Sequence, residues 1–236
     1  MKIDSFKKEL DKLNLIYNQY MLDQLETYYN FLIDYNSHTN LTAIKSKEEV
    51  YLKHFYDSLT VCRAVDLNNI SKIIDIGSGA GFPGIVLKIF FPHLDITILD
   101  SNNKKTTFMK YLIEKLDLKN VNIVNNRAEE YAKNNLNMYD LCVSRAVAFI
   151  DIISELCLPF IKKEGKVVLM KGNFDNEKLI LQKYQKALNI SEYKIDTFLL
   201  QNNDERNLVT LQKKEDTKKV LNYSQIIKRN KIWNNK

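Results

Sequence analysis

Four of the chain's six glycines and one of its three prolines fall within ten residues, Asp75-Ile-Gly-Ser-Gly-Ala-Gly-Phe-Pro-Gly84. Glycine carries a large backbone entropy cost, so a chain this sparing with it concentrates it where the backbone must turn sharply or approach a ligand. The apolar pair Ile73-Ile74 precedes the stretch, and Ile85-Val86-Leu87 with Ile89-Phe90 follows it. Strand, glycine turn, helix is the arrangement in which free N–H groups at a helix N-terminus face a bound ligand. One acid, Asp75, ends the expected strand. A second, Asp100, closes the next strand, where a carboxylate can accept both hydroxyls of a ribose. The chemistry on offer is the binding of a nucleoside cofactor. Gly79-x-Gly81-x-x-Gly84 also fits the dinucleotide pattern, so glycine spacing alone leaves a nicotinamide cofactor open.

Asp75 and Gly77 come before that triplet, and there the stretch looks different. Asp75-x-Gly77-x-Gly79-x-Gly81 resembles the first motif of S-adenosylmethionine-dependent methyltransferases. In that motif the backbone packs against the amino acid part of a cofactor that has no phosphate to cradle.

The elements that must position these residues alternate strand and helix from residue 72 onward, the pattern of a parallel doubly wound sheet. Strands are expected at 72–76, 95–99, 121–125, 139–143 and 166–170, and helices near 84–91, 103–117, 128–134 and 149–162. A further helix runs to Leu188, and stretches 193–200 and 206–213 form an edge hairpin around Asn202 to Glu205. Ahead of the sheet, residues 4–35 read as helical with a break near Asn14 to Asn18. Ser46-Lys-Glu-Glu49 is a capping box opening another helix that carries His54, Asp57 and Ser58. The expected fold is thus α/β: a mostly parallel, seven-stranded Rossmann-like sheet (66–213), an N-terminal helical cap (1–65) and a basic tail (214–236) with Tyr223, Ile226, Ile227 and Trp233 interleaved.

Ligands of such sheets sit outside the carboxyl ends of the strands. Read in order, those ends carry Asp75 and the glycines, Asp100-Ser101, Arg127-Ala128-Glu129, Ser144-Arg145-Ala146 and Lys171-Gly172. Glu129 or the backbone beside it suits an adenine edge. Arg145 and Lys171 suit a phosphate or a base carbonyl. Only five of the thirty-five basic side chains are Arg, namely Arg63, Arg127, Arg145, Arg206 and Arg229, and a rare Arg marks a place that needs a planar fork.

The net charge of +6 leans toward a polyanionic partner. No apolar run reaches membrane-spanning length and the charged N-terminus lacks a signal-peptide core, so a cytoplasmic protein is expected. Cys62, Cys142 and Cys157 show no paired spacing and His38, His54 and His93 are scattered, so neither disulfides nor a metal site is expected.

Together these residues resemble the bacterial small-subunit rRNA guanine-N7 methyltransferases, the RsmG family, also called GidB. The matching segments are Asn40-Leu-Thr42, His54-Phe-Tyr-Asp57-Ser58, Asp75 to Gly84, Asp100-Ser101 with Lys104, Arg127-Ala128-Glu129, Ser144-Arg145-Ala146, Lys171-Gly172 and Arg206-Asn-Leu-Val209. The Gly-Phe-Pro-Gly continuation, the His-x-x-Asp-Ser helix and the Ser-Arg-Ala rim are the specific ones. The resemblance implies methylation at N7 of one guanine in 16S rRNA, with S-adenosyl-L-methionine as cofactor and the rRNA or the small ribosomal subunit as partner of a monomeric enzyme. It places Gly77, Phe82, Ala128, Glu129 and Arg145 on cofactor-binding positions, beside Asp75, Gly79, Gly81, Asp100 and Ser101 of the motif reading. His54, Arg127 and Lys171 match polar positions on the RNA side. The tail departs from the family pattern, because Lys213 to Lys236 contains no proline.

Guanine N7 bears an in-plane lone pair and no proton, so its methylation needs orientation and no general base. Arg145, Lys171, Arg127 and His54 are accordingly read as positioning groups. The strand-four end lacks the Asn/Asp-Pro-Pro-aromatic motif of exocyclic-amine methyltransferases, and Cys142 reads as a buried apolar cysteine. Three rivals stay open at this level: a methyltransferase acting on a small molecule or protein, an NAD-dependent oxidoreductase, and an RNA-binding protein with a vestigial cofactor fold.

Overall fold

The computed structural model describes residues 1–234. Two helices come first, α1 (Ile3–Lys12) and α2 (Gln19–Thr39). The Asn18 side chain accepts the Met21 N–H at 3.0 Å to start α2, and Asn40 ends it in the left-handed region at φ 54°. A third helical stretch starts at α3 (Lys47–Val50). It continues as a π-helix (Tyr51–Tyr56), a turn of α-helix α4 (Asp57–Leu59) and a 3-10 turn (Thr60–Arg63). At its start Ser46 Oγ accepts the Glu49 N–H, but the Glu49 carboxylate closes on the Ser46 hydroxyl rather than on its N–H.

Strands β1 (Lys72–Ile76), β2 (Asp95–Asp100), β3 (Val121–Asn125), β4 (Tyr139–Arg145), β5 (Ile161–Lys171), β6 (Ile190–Leu199) and β7 (Glu205–Lys213) form one sheet in the order β3-β2-β1-β4-β5-β7-β6. The first five run parallel, and the β6–β7 hairpin joins antiparallel beside β5. Order reverses between β1 and β4, which opens a crevice at their carboxyl ends. Helices α5 (Gly84–Phe90), α6 (Asn103–Lys115), α7 (Ala128–Tyr131), α8 (Ile150–Cys157) and α9 (Asp175–Tyr184) follow their strands, and α10 (Tyr223–Asn234) closes the chain.

Successive strand residues point to opposite faces, and the two cores follow that alternation. Ile73, Ile98, Val143 and Val168 pack with α1, α2, α5 and α6 on one face. Ile74, Leu99, Cys142 and Val167 pack with α8, α9 and α10 on the other. Phe6, Leu10, Leu25, Tyr28 and Leu32 of the first two helices therefore lie in the same continuous core as the sheet.

One expectation is corrected. The helix expected over 149–162 ends at Cys157. Pro159 lies in a 3-10 turn (Leu158–Phe160), and the chain enters β5 at Ile161, which pairs with Tyr139. Proline lacks the N–H a continuing helix needs, and Phe160-Ile161 satisfies either period. Lys213, the last residue of β7, is fully buried and donates to Asn137 Oδ1 and the Ile161 carbonyl, both at 2.5 Å, with burial pushing its ammonium down to about 8. The Trp233 side chain and residues 235–236 of the tail lie outside the described residues.

Helix α2 props the glycine turn directly. Tyr28 donates its hydroxyl to the Ala80 carbonyl at 2.5 Å, and its ring stacks on Phe82 at 5.2 Å. Tyr28→Phe keeps the stacking and leaves that buried carbonyl unpaired, which costs about 1–3 kcal/mol. Urea unfolding should show a lower midpoint at unchanged slope; an unmoved midpoint would mean the bond contributes nothing.

Candidate functional site

A cavity of about 350 Å³ opens at the carboxyl ends of β1, β2, β3 and β4. Its lining includes Gly77, Asp100, Ser101, Arg127, Ala128, Glu129, Val147 and Tyr223. Gly77, Asp100, Ser101, Ala128 and Glu129 are thus brought together from three strand ends far apart in sequence. Gly77 sits at φ +71°, a conformation that side chains rarely adopt, and a Cβ on it would come within 2.4 Å of Val147 Cγ2, which would have to shift. Asp100 accepts the Gly79 N–H at 3.0 Å through Oδ2 and the Asn102 N–H at 2.8 Å through Oδ1. It anchors the glycine turn while keeping lone pairs for a ligand.

Asp75, Gly79, Gly81 and Phe82 lie outside the cavity lining and shape its floor. Fully buried Asp75 accepts the Ser78 hydroxyl at 2.6 Å and the Gly84 N–H at 2.8 Å, both on Oδ2. Its other oxygen, Oδ1, is buried with no partner, and burial pushes the carboxyl up to about 6. A Cβ on Gly81 would meet Ile85 Cδ1 and Tyr28 Oη, each at 2.6 Å, while one on Gly79 would meet open space. Phe82 is a core residue, stacked on His54 at 4.4 Å and Tyr28 at 5.2 Å, with the Arg145 guanidinium over its ring at 5.1 Å.

Beside this floor lies a buried polar cluster. Arg145, at the end of β4, donates to the Lys53 carbonyl at 2.9 Å, to Asp57 Oδ2 at 3.2 Å and to His54 Nδ1 at 3.2 Å. Arg206 of β7 donates to the other Asp57 oxygen at 3.0 Å. A guanidinium only donates, so Nδ1 of His54 is the acceptor and its proton sits on Nε2, facing Thr42 Oγ1 at 3.0 Å. Thr42 is held in turn by the Asn36 side chain through both its N–H (3.0 Å) and its carbonyl (2.9 Å). Burial, and then the charge of Arg145, push the His54 imidazolium down to about 3, so the ring is neutral at physiological pH. The π-helix that carries His54 is the rare geometry often found at functional sites.

Two expected positioning groups are otherwise engaged. Lys171 gives its ammonium to the Ala148 carbonyl at 2.5 Å and to Glu177 at 2.8 Å, and Glu177 also accepts the Ile150 N–H at 2.5 Å. Lys171 thereby pins the β4–α8 loop, in which Ala146 adopts φ 55°, a strained value for a residue with a side chain. Arg127 is drawn into the cavity wall by a 2.6 Å bond from Nε to Glu129. Each of the five arginines pairs with a carboxylate, and two of them, Arg63 and Arg229, do so as the planar fork expected of a rare Arg.

Sequence reasoning gave no role to Tyr28, Thr42, Arg206 or Tyr223. Arg206 carried a signal, being a rare Arg in a matching segment. Thr42 closes the matching segment Asn40-Leu-Thr42, while Tyr28 and Tyr223 read as ordinary helix and tail residues. Among the described residues no group of three His, Cys, Asp or Glu could hold a metal, and no helix is long and apolar enough to cross a membrane.

The sheet order, the reversed hairpin and the site at the crevice are those of the Rossmann-like methyltransferases. The solved structure of precorrin-6y C5,15-methyltransferase from Geobacter metallireducens matches with a TM-score of 0.53 at 17% identity, covering 67% of this chain and 88% of that one. The model of the GidB family, rRNA small subunit methyltransferase G, matches residues 21–209, and the chain belongs to this family. Among curated relatives, ribosomal RNA small subunit methyltransferase G of Halalkalibacterium halodurans is 44% identical over 223 residues, covering 93% of this chain and 94% of that protein. The protein of the same name from Bacillus pumilus is 40% identical over 225 residues, covering 93% of each. Membership sets aside the nicotinamide reading of Gly79, Gly81 and Gly84.

Neutral His54 has a consequence for stability. The unfolded chain takes up a proton near pH 6.5 that the folded chain refuses until about pH 3, so stability falls as pH drops below about 6.5. At pH 5 this component reaches about 2 kcal/mol. His54→Gln keeps hydrogen-bonding capacity and lacks the titration. Its stability deficit against wild type, from urea unfolding, should shrink between pH 7 and pH 5; a constant deficit would place a charged His54 in the fold.

Proposed function

We propose that the protein transfers a methyl group from S-adenosyl-L-methionine to N7 of a guanine in 16S rRNA. One observation carries this reading: in a chain matching its family over nearly full length, Gly77, Asp100, Ser101, Ala128 and Glu129 converge on one cavity beside the Arg145–His54–Asp57 cluster. The residues present suit the cofactor. Unpaired Asp75 Oδ1 offers a buried carboxylate oxygen to an ammonium group, Gly77 keeps the turn bare, and Asp100 has lone pairs for ribose hydroxyls.

When bound, S-adenosyl-L-methionine supplies an electrophilic methyl group on a cationic sulfur. Nothing in the polar cluster has to remove a proton, because guanine N7 carries none. His54, neutral and a weak base, suits that requirement. Arg145 uses its bonds to Lys53, Asp57 and His54 to hold the rim of β4, and its remaining N–H groups can meet the acceptor edge of a guanine. Lys171 acts at one remove by fixing the β4–α8 loop against Gly77. Orientation in a shielded crevice is the main catalytic contribution. Basic residues of the N-terminal helices would add salt-dependent phosphate contacts.

The direct test is methyl transfer from labelled S-adenosyl-L-methionine to small-subunit rRNA, and to intact small subunits, from cells lacking this gene, followed by nucleoside digestion. Label in 7-methylguanosine is expected. Label in a different nucleoside would keep the enzyme class and sink the N7 assignment. Absence of label on either substrate, with the cofactor bound, would point to a small molecule or protein as acceptor. Gly77→Ala should weaken cofactor binding, because alanine is strained at φ +71° and its Cβ displaces Val147 at the cavity wall.

Asp75 supplies a pH test of the same pocket. If its ionised form meets the ammonium of S-adenosylhomocysteine, affinity falls about tenfold per unit as pH drops below about 6. Calorimetric titration between pH 5 and 8 should show that slope in the wild type and a flat profile in Asp75→Asn. Equal slopes would remove Asp75 from the binding site.

A further inference from the structure

The proline-free C-terminal segment departs from the family pattern, and its folded form brings a residue to the cofactor cavity. Asn222 and Gln225 make a reciprocal cap. The Asn222 side chain accepts the Gln225 N–H at 2.9 Å, and the Gln225 side chain accepts the Asn222 N–H at 3.0 Å. This cap fixes Tyr223 as the first residue of α10. Further along the helix, Ile226 is buried in the core formed with α8 and α9, and Arg229 clasps Glu155 of α8 through two nitrogens. The helix is thus held at its start and its middle, and Tyr223 has a defined position on the cavity wall. The Arg127 guanidinium lies over its ring at 4.7 Å, and Arg127 is itself bonded to Glu129. Tyr223, Arg127 and Glu129 form a linked wall at the end of the cavity that Asp100 and Ser101 also line.

We propose that Tyr223 is a cofactor-binding residue, the solvent-side wall for the adenosine end of S-adenosyl-L-methionine. The inference rests on the methyltransferase reading of the cavity. Two observations support the adenosine end rather than the amino acid end. The cavity-side neighbour of Tyr223 is Arg127, which follows β3 and is bonded to Glu129 of the Ala128-Glu129 edge, and the same cavity is lined by Asp100, the carboxylate suited to a ribose. The unpaired Asp75 oxygen, the group suited to an ammonium, belongs to β1. An aromatic ring backed by a guanidinium is a flat, preordered surface for a purine or its ribose, and α10 makes it part of the fold rather than a flexible tail. Tyr223 is 41% exposed, so its ring offers an aromatic surface that a ligand can cover.

The test is calorimetric binding of S-adenosylhomocysteine and, separately, of adenosine to the full-length protein. Tyr223→Ala is expected to weaken both about tenfold, and Tyr223→Phe to bind both as the wild type does. Thermal unfolding of each variant checks that α10 still docks. Arg229→Ala, which loosens the middle of the helix without touching the cavity, should weaken both ligands in the same ratio to each other. Wild-type affinity for both ligands in a folded Tyr223→Ala protein would overturn the proposal while leaving the cofactor reading intact. Loss of S-adenosylhomocysteine affinity with adenosine unaffected would also overturn it, by moving Tyr223 to the amino acid end. A wild-type protein that binds neither ligand would instead overturn the cofactor reading on which the proposal stands.

Discussion

One carboxylate, Asp57, sits between two guanidiniums and ties together three parts of the chain. Its oxygens accept from Arg145 at 3.2 Å and Arg206 at 3.0 Å, so the third helical stretch is joined to β4 and to β7 in one place. The Asp57 side chain is 4% exposed, and those of Arg145 and Arg206 are 15% and 19% exposed. Three charges so shielded from water are costly unless mutually compensated, and loss of one partner leaves an uncompensated charge worth about 3–5 kcal/mol. The arrangement is therefore all or nothing, and it specifies how the helices sit on the sheet. Tethered to Arg145, His54 is held neutral and stacked on Phe82, next to the glycine turn.

The turn is held from below by the same logic of buried polar groups with satisfied partners. Asp75 gathers Ser78 and Gly84, Asp100 holds Gly79, and Tyr28 reaches the Ala80 carbonyl from a helix 52 residues earlier. Four contacts fix a segment whose glycines would otherwise sample many conformations. A site that must accept a nucleoside cofactor without rearrangement benefits from such preordering. The oxygen left over, Asp75 Oδ1, is the kind of buried unpaired group that proteins keep where a ligand completes it.

Lysine and arginine divide the work in this chain. Lysines supply most of the positive charge, and Lys171 and Lys213 use theirs on buried carbonyls rather than on solvent or a polyanion. The arginines all pair with carboxylates, Arg63 and Arg229 through two nitrogens each. Arg63 and Arg229 fasten peripheral elements, β6 and α10, while Arg127, Arg145 and Arg206 lie at the rim.

Several features were determined by the sequence alone, and each is a local matter. The alternation of strand and helix from Lys72, the glycine turn, and acids at the ends of β1 and β2 follow from periodicity and from what only glycine can do. So does the expectation that polar residues at strand ends share one rim, since a parallel sheet puts all its carboxyl ends on one side. Tertiary structure decided what those residues do there. Asp75, Phe82 and Lys171 are read as ligand-facing in sequence, and in the fold each also meets protein partners: Ser78 and Gly84 on one Asp75 oxygen, His54 and Tyr28 on Phe82, Ala148 and Glu177 on Lys171. Pro159 ended a helix that the apolar pattern would have continued. Tyr223 reached the cavity only because a capping pair and a distant ion pair dock α10 there. No local pattern contains such a contact. It depends on two segments nearly a hundred residues apart, Arg127 and Tyr223, being brought together by a core that both help to cover.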